Sequence, residues 1–228
     1  MEMGIRENLQ WVRERMARAA QSVGRDPREI LLVAVTKTVA PERILEAVEA
    51  GVEDLGENRV QEARSKIEKL GRIARWHLIG TLQRNKAKYA VRLFDMIQSV
   101  DSVPLVEELE KRAAREGKVV PVLVEVKTSP EETKHGVEPQ GVDALVDRIL
   151  EAGHLVFKGL MTIAPYVEDP ELARPSFRML REIKERLEAR GVPVEHLSMG
   201  MSGDFEVAIQ EGSTMVRIGS AIFGPRNY

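Results

Sequence analysis

The sequence predicts a single closed (β/α)8 barrel, and three features carry that prediction. Eight short apolar runs recur along the 228 residues, amphipathic helical stretches separate most of them, and most of those stretches close on a glycine. Strict strand–helix alternation with eight strands suits a closed parallel barrel; an open doubly wound sheet usually has fewer strands. The length agrees, since barrels of one domain commonly run to about 250 residues.

The elements follow in order. Residues 4–22 place Ile5, Leu9, Val12, Met16 and Ala19 at steps of four and three, one face of an amphipathic helix. ILLVAVTK (30–37) has no polar alternation, as expected of a strand buried on both faces of a parallel sheet. Pro41 opens a helix with Ile44, Leu45 and Val48 inward, and Gly51 closes it. Further strands are expected near 52–55, 76–80, 95–100, 119–126, 155–160, 194–198 and 214–218. Helices are expected over 57–70, 83–92, 102–116, 141–152, 175–190 and 203–211. Only eight residues follow Ser220, too few for a full eighth outer helix. The N-terminal helix is therefore expected to take the vacant place in the ring. No linker or shift in composition divides the chain, so one domain over 1–228 is expected.

Composition narrows the function. Lys+Arg 34 against Asp+Glu 36 leaves a net charge of −2, which argues against nucleic acid as the main partner. With no cysteine there is no disulfide, thiolate metal site or cysteine nucleophile. No apolar run is long enough for a membrane helix. The charged N-terminus lacks the apolar core of a secretion signal, so a cytoplasmic location is expected. The histidines (77, 135, 154, 196) show no metal-ligand spacing, and His77 reads as a satisfied strand residue rather than a base. Neither GxGxxG nor a Walker A pattern occurs.

Barrels of this kind carry their chemistry at the C-terminal ends of the strands, with phosphate often held after strands seven and eight. Lys37, at the end of strand one, sits where an ammonium loses hydration, which favours the neutral nucleophilic amine. A lysine reaching out of the rim into water is the competing reading. Gly200 suggests close backbone approach to a ligand, and Ser202 an N-cap for helix 203–211. Gly219-Ser220 offers free amides and a hydroxyl, so the two loops side by side make a phosphate cradle. An amine and a phosphate cradle together fit an aldehyde-bearing phosphate ligand: pyridoxal phosphate or a sugar phosphate. Arg217, on strand eight, needs an acceptor inside the barrel. Opposite a pyridine nitrogen it would donate and keep that nitrogen unprotonated; an ion pair with Asp204 or Glu57 is the alternative.

These residues lie within segments that carry a family resemblance: AVTKTVAPERI (34–44), LGENRVQE (55–62), WHLIGTLQRNK (76–86), KHGV (134–137), GLMTIAP (159–165) and LSMGMSGDFEVAIQEGSTMVRIGSAIFG (197–224). The sequence resembles the pyridoxal phosphate homeostasis protein family over nearly its whole length. The resemblance implies a fold-type III barrel like the N-terminal domain of alanine racemase, with pyridoxal 5′-phosphate (PLP) as a Schiff base on Lys37. It also implies phosphate contacts from Ser198, Gly219 and Ser220, an arginine near the pyridine nitrogen at Arg217, and a neighbouring Asn58. Gly203 stands where family members usually carry an acidic residue. The family brings no established reaction; it implies a role in PLP supply and amino-acid balance.

Three functions are therefore set against one another. A non-catalytic PLP carrier or store is the expected one, with apo PLP-dependent enzymes as recipients. A PLP-dependent amino-acid racemase is the alternative. It needs a base on the second face of the cofactor, and of Tyr89, Tyr166 and Tyr228 only Tyr166 is near enough in sequence to approach the mouth. A Schiff-base aldolase acting on sugar phosphates is the third. Lys134 is expected as a transient second amine during transfer, and an uncovered barrel mouth points to a monomer.

Overall fold

The structure, a computed structural model, describes residues 4–129, 131 and 135–225; Lys134 and Tyr228 lie outside the described residues. Eight parallel strands close on themselves in sequence order. They are β1 (Leu31–Val35), β2 (Asp54–Glu57), β3 (Arg75–Leu78), β4 (Met96–Val100), β5 (Val120–Glu125), β6 (Leu155–Met161), β7 (His196–Ser198) and β8 (Met215–Ile218). Closure runs through β1, where Val33 aligns with Asp54 of β2 on one side and Arg217 of β8 on the other. The (β/α)8 barrel expected from the alternation is therefore the fold.

Helices α1 (Ile5–Gln21), α2 (Pro41–Glu49), α3 (Val60–Leu70), α4 (Ala87–Leu93), α5 (Val103–Glu116), α6 (Val142–Leu150), α7 (Arg174–Ala189) and α8 (Phe205–Gln210) surround it, and α9 (Ser220–Phe223) is a single turn. The missing eighth outer helix is supplied by α1, as the sequence leads one to expect. Asn8 Nδ2 donates to the Ile222 carbonyl at 2.9 Å. Arg15 pairs with Glu206 and lies over the Trp11 and Phe205 rings, while Arg13 reaches the carbonyls of Ala50 and Gly51. One helix thus bridges α2, α8 and α9.

Two boundaries differ from the sequence reading in ways that shape the site. The second strand starts at Asp54, not residue 52, because its register is set by Val33↔Asp54 and Glu57↔Leu78. Glu57 is thereby carried inside the sheet. The first strand ends at Val35, and Lys37 lies in the turn beyond it.

The core has two layers. Between strands and helices lie Leu55, Trp76, Ile97, Leu160 and Val216 with Leu9, Ile44, Leu109, Phe177 and Phe205. Each such side chain contributes about 1.5–3 kcal/mol when fully buried. Inside the barrel Val33, Val35, Leu123, Met161 and Met215 are buried, and they share that space with polar groups. Ser198 on β7 hydrogen-bonds Gln98 on β4; these strands are not neighbours, so the bond crosses the interior.

Candidate cofactor site

The interior polar groups form one chain from the mouth to the far rim. Arg217 Nη2 donates to the Thr162 carbonyl at 2.8 Å and Nη1 to Ser198 Oγ at 2.7 Å. Ser198 Oγ donates to Gln98 Oε1 at 2.6 Å, and Gln98 Nε2 lies 3.0 Å from His77 Nδ1. His77 Nε2 meets Asp54 Oδ1 at 2.8 Å, and Asp54 accepts twice from Arg75 at 2.7 Å. The directions are fixed by chemistry. Asp54 is an acceptor because hydrogen bonds from Arg75 and His77 outweigh its burial and hold its carboxyl down at about 2. His77 therefore carries its proton on Nε2 and accepts at Nδ1 from Gln98. Each buried polar group in the chain has a partner, as burial demands. His77 is the satisfied strand residue that its position suggests.

Arg217 is 3% exposed, and burial lowers its guanidinium to about 10 against the opposing pull of Glu125 and Asp204. It stays protonated at neutral pH. The expected alternative of an ion pair with Glu57 does not hold, because Glu57 is bound to Thr36 and Lys66 instead.

Lys37, half-buried, lines a cavity of about 230 Å³ together with Thr38, Arg43, Gly219 and Ser220. The first-strand amine and the eighth-strand turn are thus brought together. Ser198 is fully buried below them, its hydroxyl already engaged by Arg217 and Gln98. Asn58 follows β2, and its buried Oδ1 has no hydrogen-bond partner among the described residues. Gly80 packs against it so closely that a Cβ there would stand 2.3 Å from the Asn58 carbonyl oxygen.

Two loop residues act differently from the sequence reading. Gly200 has φ +100, and its open side faces α8, where a Cβ would meet Ala208 Cβ at 2.7 Å. Helix packing, rather than approach to a ligand, requires glycine there. Ser202 does not cap α8, whose N-cap is Asp204. Its hydroxyl instead accepts from the Gly219 and Ala221 amides, each at 3.3 Å. These are long bonds to a neutral acceptor, in a place where a stronger one would be welcome.

Three buried groups were missed in the sequence. Lys66 on α3, 6% exposed, donates to the Thr36 carbonyl (2.5 Å), Glu57 Oε1 (2.6 Å) and Glu62 Oε1 (2.7 Å). Gln98 is the central link of the interior chain. Glu125 ends β5 with Oε2 buried and without a hydrogen-bond partner among the described residues. Burial, reinforced by the Asp101 carboxylate and opposed by Arg217, raises its carboxyl to about 7. A carboxylate closing the run VPVLV was a legible signal for Glu125. For Lys66 and Gln98 there was none, since each is buried by residues distant in sequence.

Residues 4–227 match the family model described as alanine racemase, N-terminal domain, which defines the class of this barrel. The chain is 46% identical over 228 residues to a pyridoxal phosphate homeostasis protein of Aquifex aeolicus, spanning 99% of this chain and 100% of that one. It is 38% identical to the protein of the same name in Escherichia coli K12, over 98% of this chain and 97% of the relative. The solved structure of PipY from Synechococcus elongatus PCC7942 with PLP bound superposes with TM-score 0.85 at 35% identity, covering 96% and 100% of the two chains. The chain belongs to the pyridoxal phosphate homeostasis protein family.

Proposed function

We propose that this protein holds pyridoxal 5′-phosphate on Lys37 and serves to store and hand on the cofactor, without a dedicated reaction of its own. The observation that carries the reading is the juxtaposition of Lys37 with Gly219 and Ser220 around one cavity. PipY, a relative over the whole barrel, was solved with PLP bound. The donor set fits this group. Lys37 is the amine that would condense with its aldehyde. The Gly219 and Ala221 amides, now on Ser202, and the Ser220 hydroxyl would hold its phosphate. The Asn58 Oδ1, without a hydrogen-bond partner among the described residues, would accept from a hydroxyl. When bound, PLP supplies an electron-poor ring and an aldehyde that exchanges amines reversibly.

Arg217 and Ser198 act from beneath. A guanidinium that keeps its proton can donate to a ring nitrogen but not protonate it, which leaves the ring a weak electron sink. Ser198 holds Arg217 in place rather than reaching outward. Such a mouth favours retention and exchange over carbanion chemistry.

The chain would work as a monomer in the cytoplasm, with apo PLP-dependent enzymes as recipients. Among the described residues no helix is long and apolar enough to cross a membrane. A racemase-like reading draws on Glu125, a buried acid with its carboxyl near neutrality. Two assays decide between the readings. The carrier predicts transfer of PLP to an apo-enzyme from the loaded protein, with no α-proton exchange across a panel of amino acids in deuterium oxide. Robust α-proton exchange would overturn it in favour of the racemase.

A further inference from the structure

The turn that carries Lys37 is held in an unusual conformation. Thr38, a β-branched residue, has φ +63, in the left-handed region that such residues avoid. Something must hold it there. The Thr38 amide donates to Glu62 Oε1 at 2.6 Å, and the Thr38 hydroxyl to the Lys37 carbonyl at 2.6 Å. On the other side, the Thr36 hydroxyl donates to Glu57 Oε1 at 2.6 Å. Lys66 joins these anchors: its ammonium binds the Thr36 carbonyl and both carboxylates.

Burying an ammonium is costly unless its donors are met, and here three acceptors meet its three donors. None of the three bonds serves the backbone of α3. Every one ends on the Lys37 turn or on a carboxylate that itself grips that turn. Glu57 is fully buried, which raises its carboxyl, and Lys66 is the chief group opposing that rise.

We propose that Lys66 is a positioning residue for the Lys37 amine: with buried Glu57 and partly exposed Glu62 it forms a clamp on the Thr36 carbonyl and hydroxyl and the Thr38 amide, the groups that flank Lys37. The clamp fixes the direction in which that side chain leaves the backbone and sets the electrostatic field around it. Without it, Thr38 relaxes to negative φ and Lys37 loses its fixed origin. The inference rests on the reading of Lys37 as the cofactor anchor, but it is tested on the protein without cofactor.

The experiment compares wild type with Lys66→Met, Glu62→Ala and Glu62→Gln. Glu62 is partly exposed, so the Glu62→Ala protein is expected to fold even if Lys66→Met does not. Two properties are read in the cofactor-free protein: hydrogen exchange of the Thr38 amide, and the pH midpoint for acetylation of Lys37 by competitive labelling. The clamp predicts at least tenfold faster exchange at Thr38 and a displaced Lys37 midpoint in Glu62→Ala, with partial recovery in Glu62→Gln, which keeps an acceptor. Unchanged exchange and an unchanged midpoint in folded Glu62→Ala would overturn the proposal. Failure of the wild type to form a PLP adduct would instead sink the cofactor reading, and it registers separately from either property.

Discussion

Arg217 donates from Nη1 to Ser198 Oγ at 2.7 Å, and the same hydroxyl donates onward to Gln98. Ser198 is thus the joint between the mouth and the buried chain that ends at Asp54. Ser198→Ala leaves a guanidinium N–H and the Gln98 carbonyl oxygen unpaired in the interior, and costs about 1–3 kcal/mol in stability. Urea unfolding with and without PLP checks this. The loss is expected to be similar in both, whereas a serine gripping phosphate would show a much larger loss with PLP.

Asp54 should make the fold acid-sensitive. Its carboxyl lies at about 2 in the fold against 3.8 for the free group. The depressed value contributes about 2 kcal/mol above pH 4, lost as pH falls toward 2. Asp54→Asn removes that contribution. Wild type and variant should differ by about 2 kcal/mol at pH 6 and converge near pH 2, as followed by chemical unfolding across pH.

Glu125 carries the opposite sign. Its carboxyl is raised from 4.5 to about 7, chiefly by burial, so ionising it works against the fold. Stability contributed below pH 4.5 is given up as pH rises through 7. Glu125→Gln should match wild type near pH 4 and exceed it by up to about 3 kcal/mol at pH 8. Parallel denaturation curves at those two pH values read the difference.

Gly80 is expected to be intolerant of a side chain for reasons that reach the site. A Cβ there would meet Asn58 O at 2.3 Å and Asn58 Cα at 2.7 Å, both backbone atoms. Gly80→Ala must therefore displace Asn58, and PLP affinity should fall about tenfold or more, a loss of at least about 1.4 kcal/mol. Titration of the folded variant by absorbance measures it.

Much of this was legible in the sequence because the signals are local. The strand runs and the glycine stops follow from spacing within a few residues. Lys37 and Gly219-Ser220 were found because barrel chemistry gathers at strand ends. Inward and outward polar groups could not be told apart in the same way. Ser198 closes the expected strand 194–198 and Ser202 lies in the loop beyond it, but the sequence does not tell that one hydroxyl faces the interior and the other receives the Gly219 and Ala221 amides. Gly200 reads like a ligand-approach glycine, but its constraint comes from α8. Lys66 sits among the charged residues of VQEARSKIEKL, where nothing distinguishes it from solvated neighbours. Only the closure of β1 and β2 over α3 buries it.

Attachment of PLP to Lys37 is checked by borohydride reduction of the PLP-loaded protein, followed by peptide mapping by mass spectrometry. The prediction is one reduced pyridoxyl phosphate group, located on Lys37, and none on the Lys37→Ala protein treated identically. An adduct on another lysine in wild type, or undiminished labelling of Lys37→Ala, would contradict it.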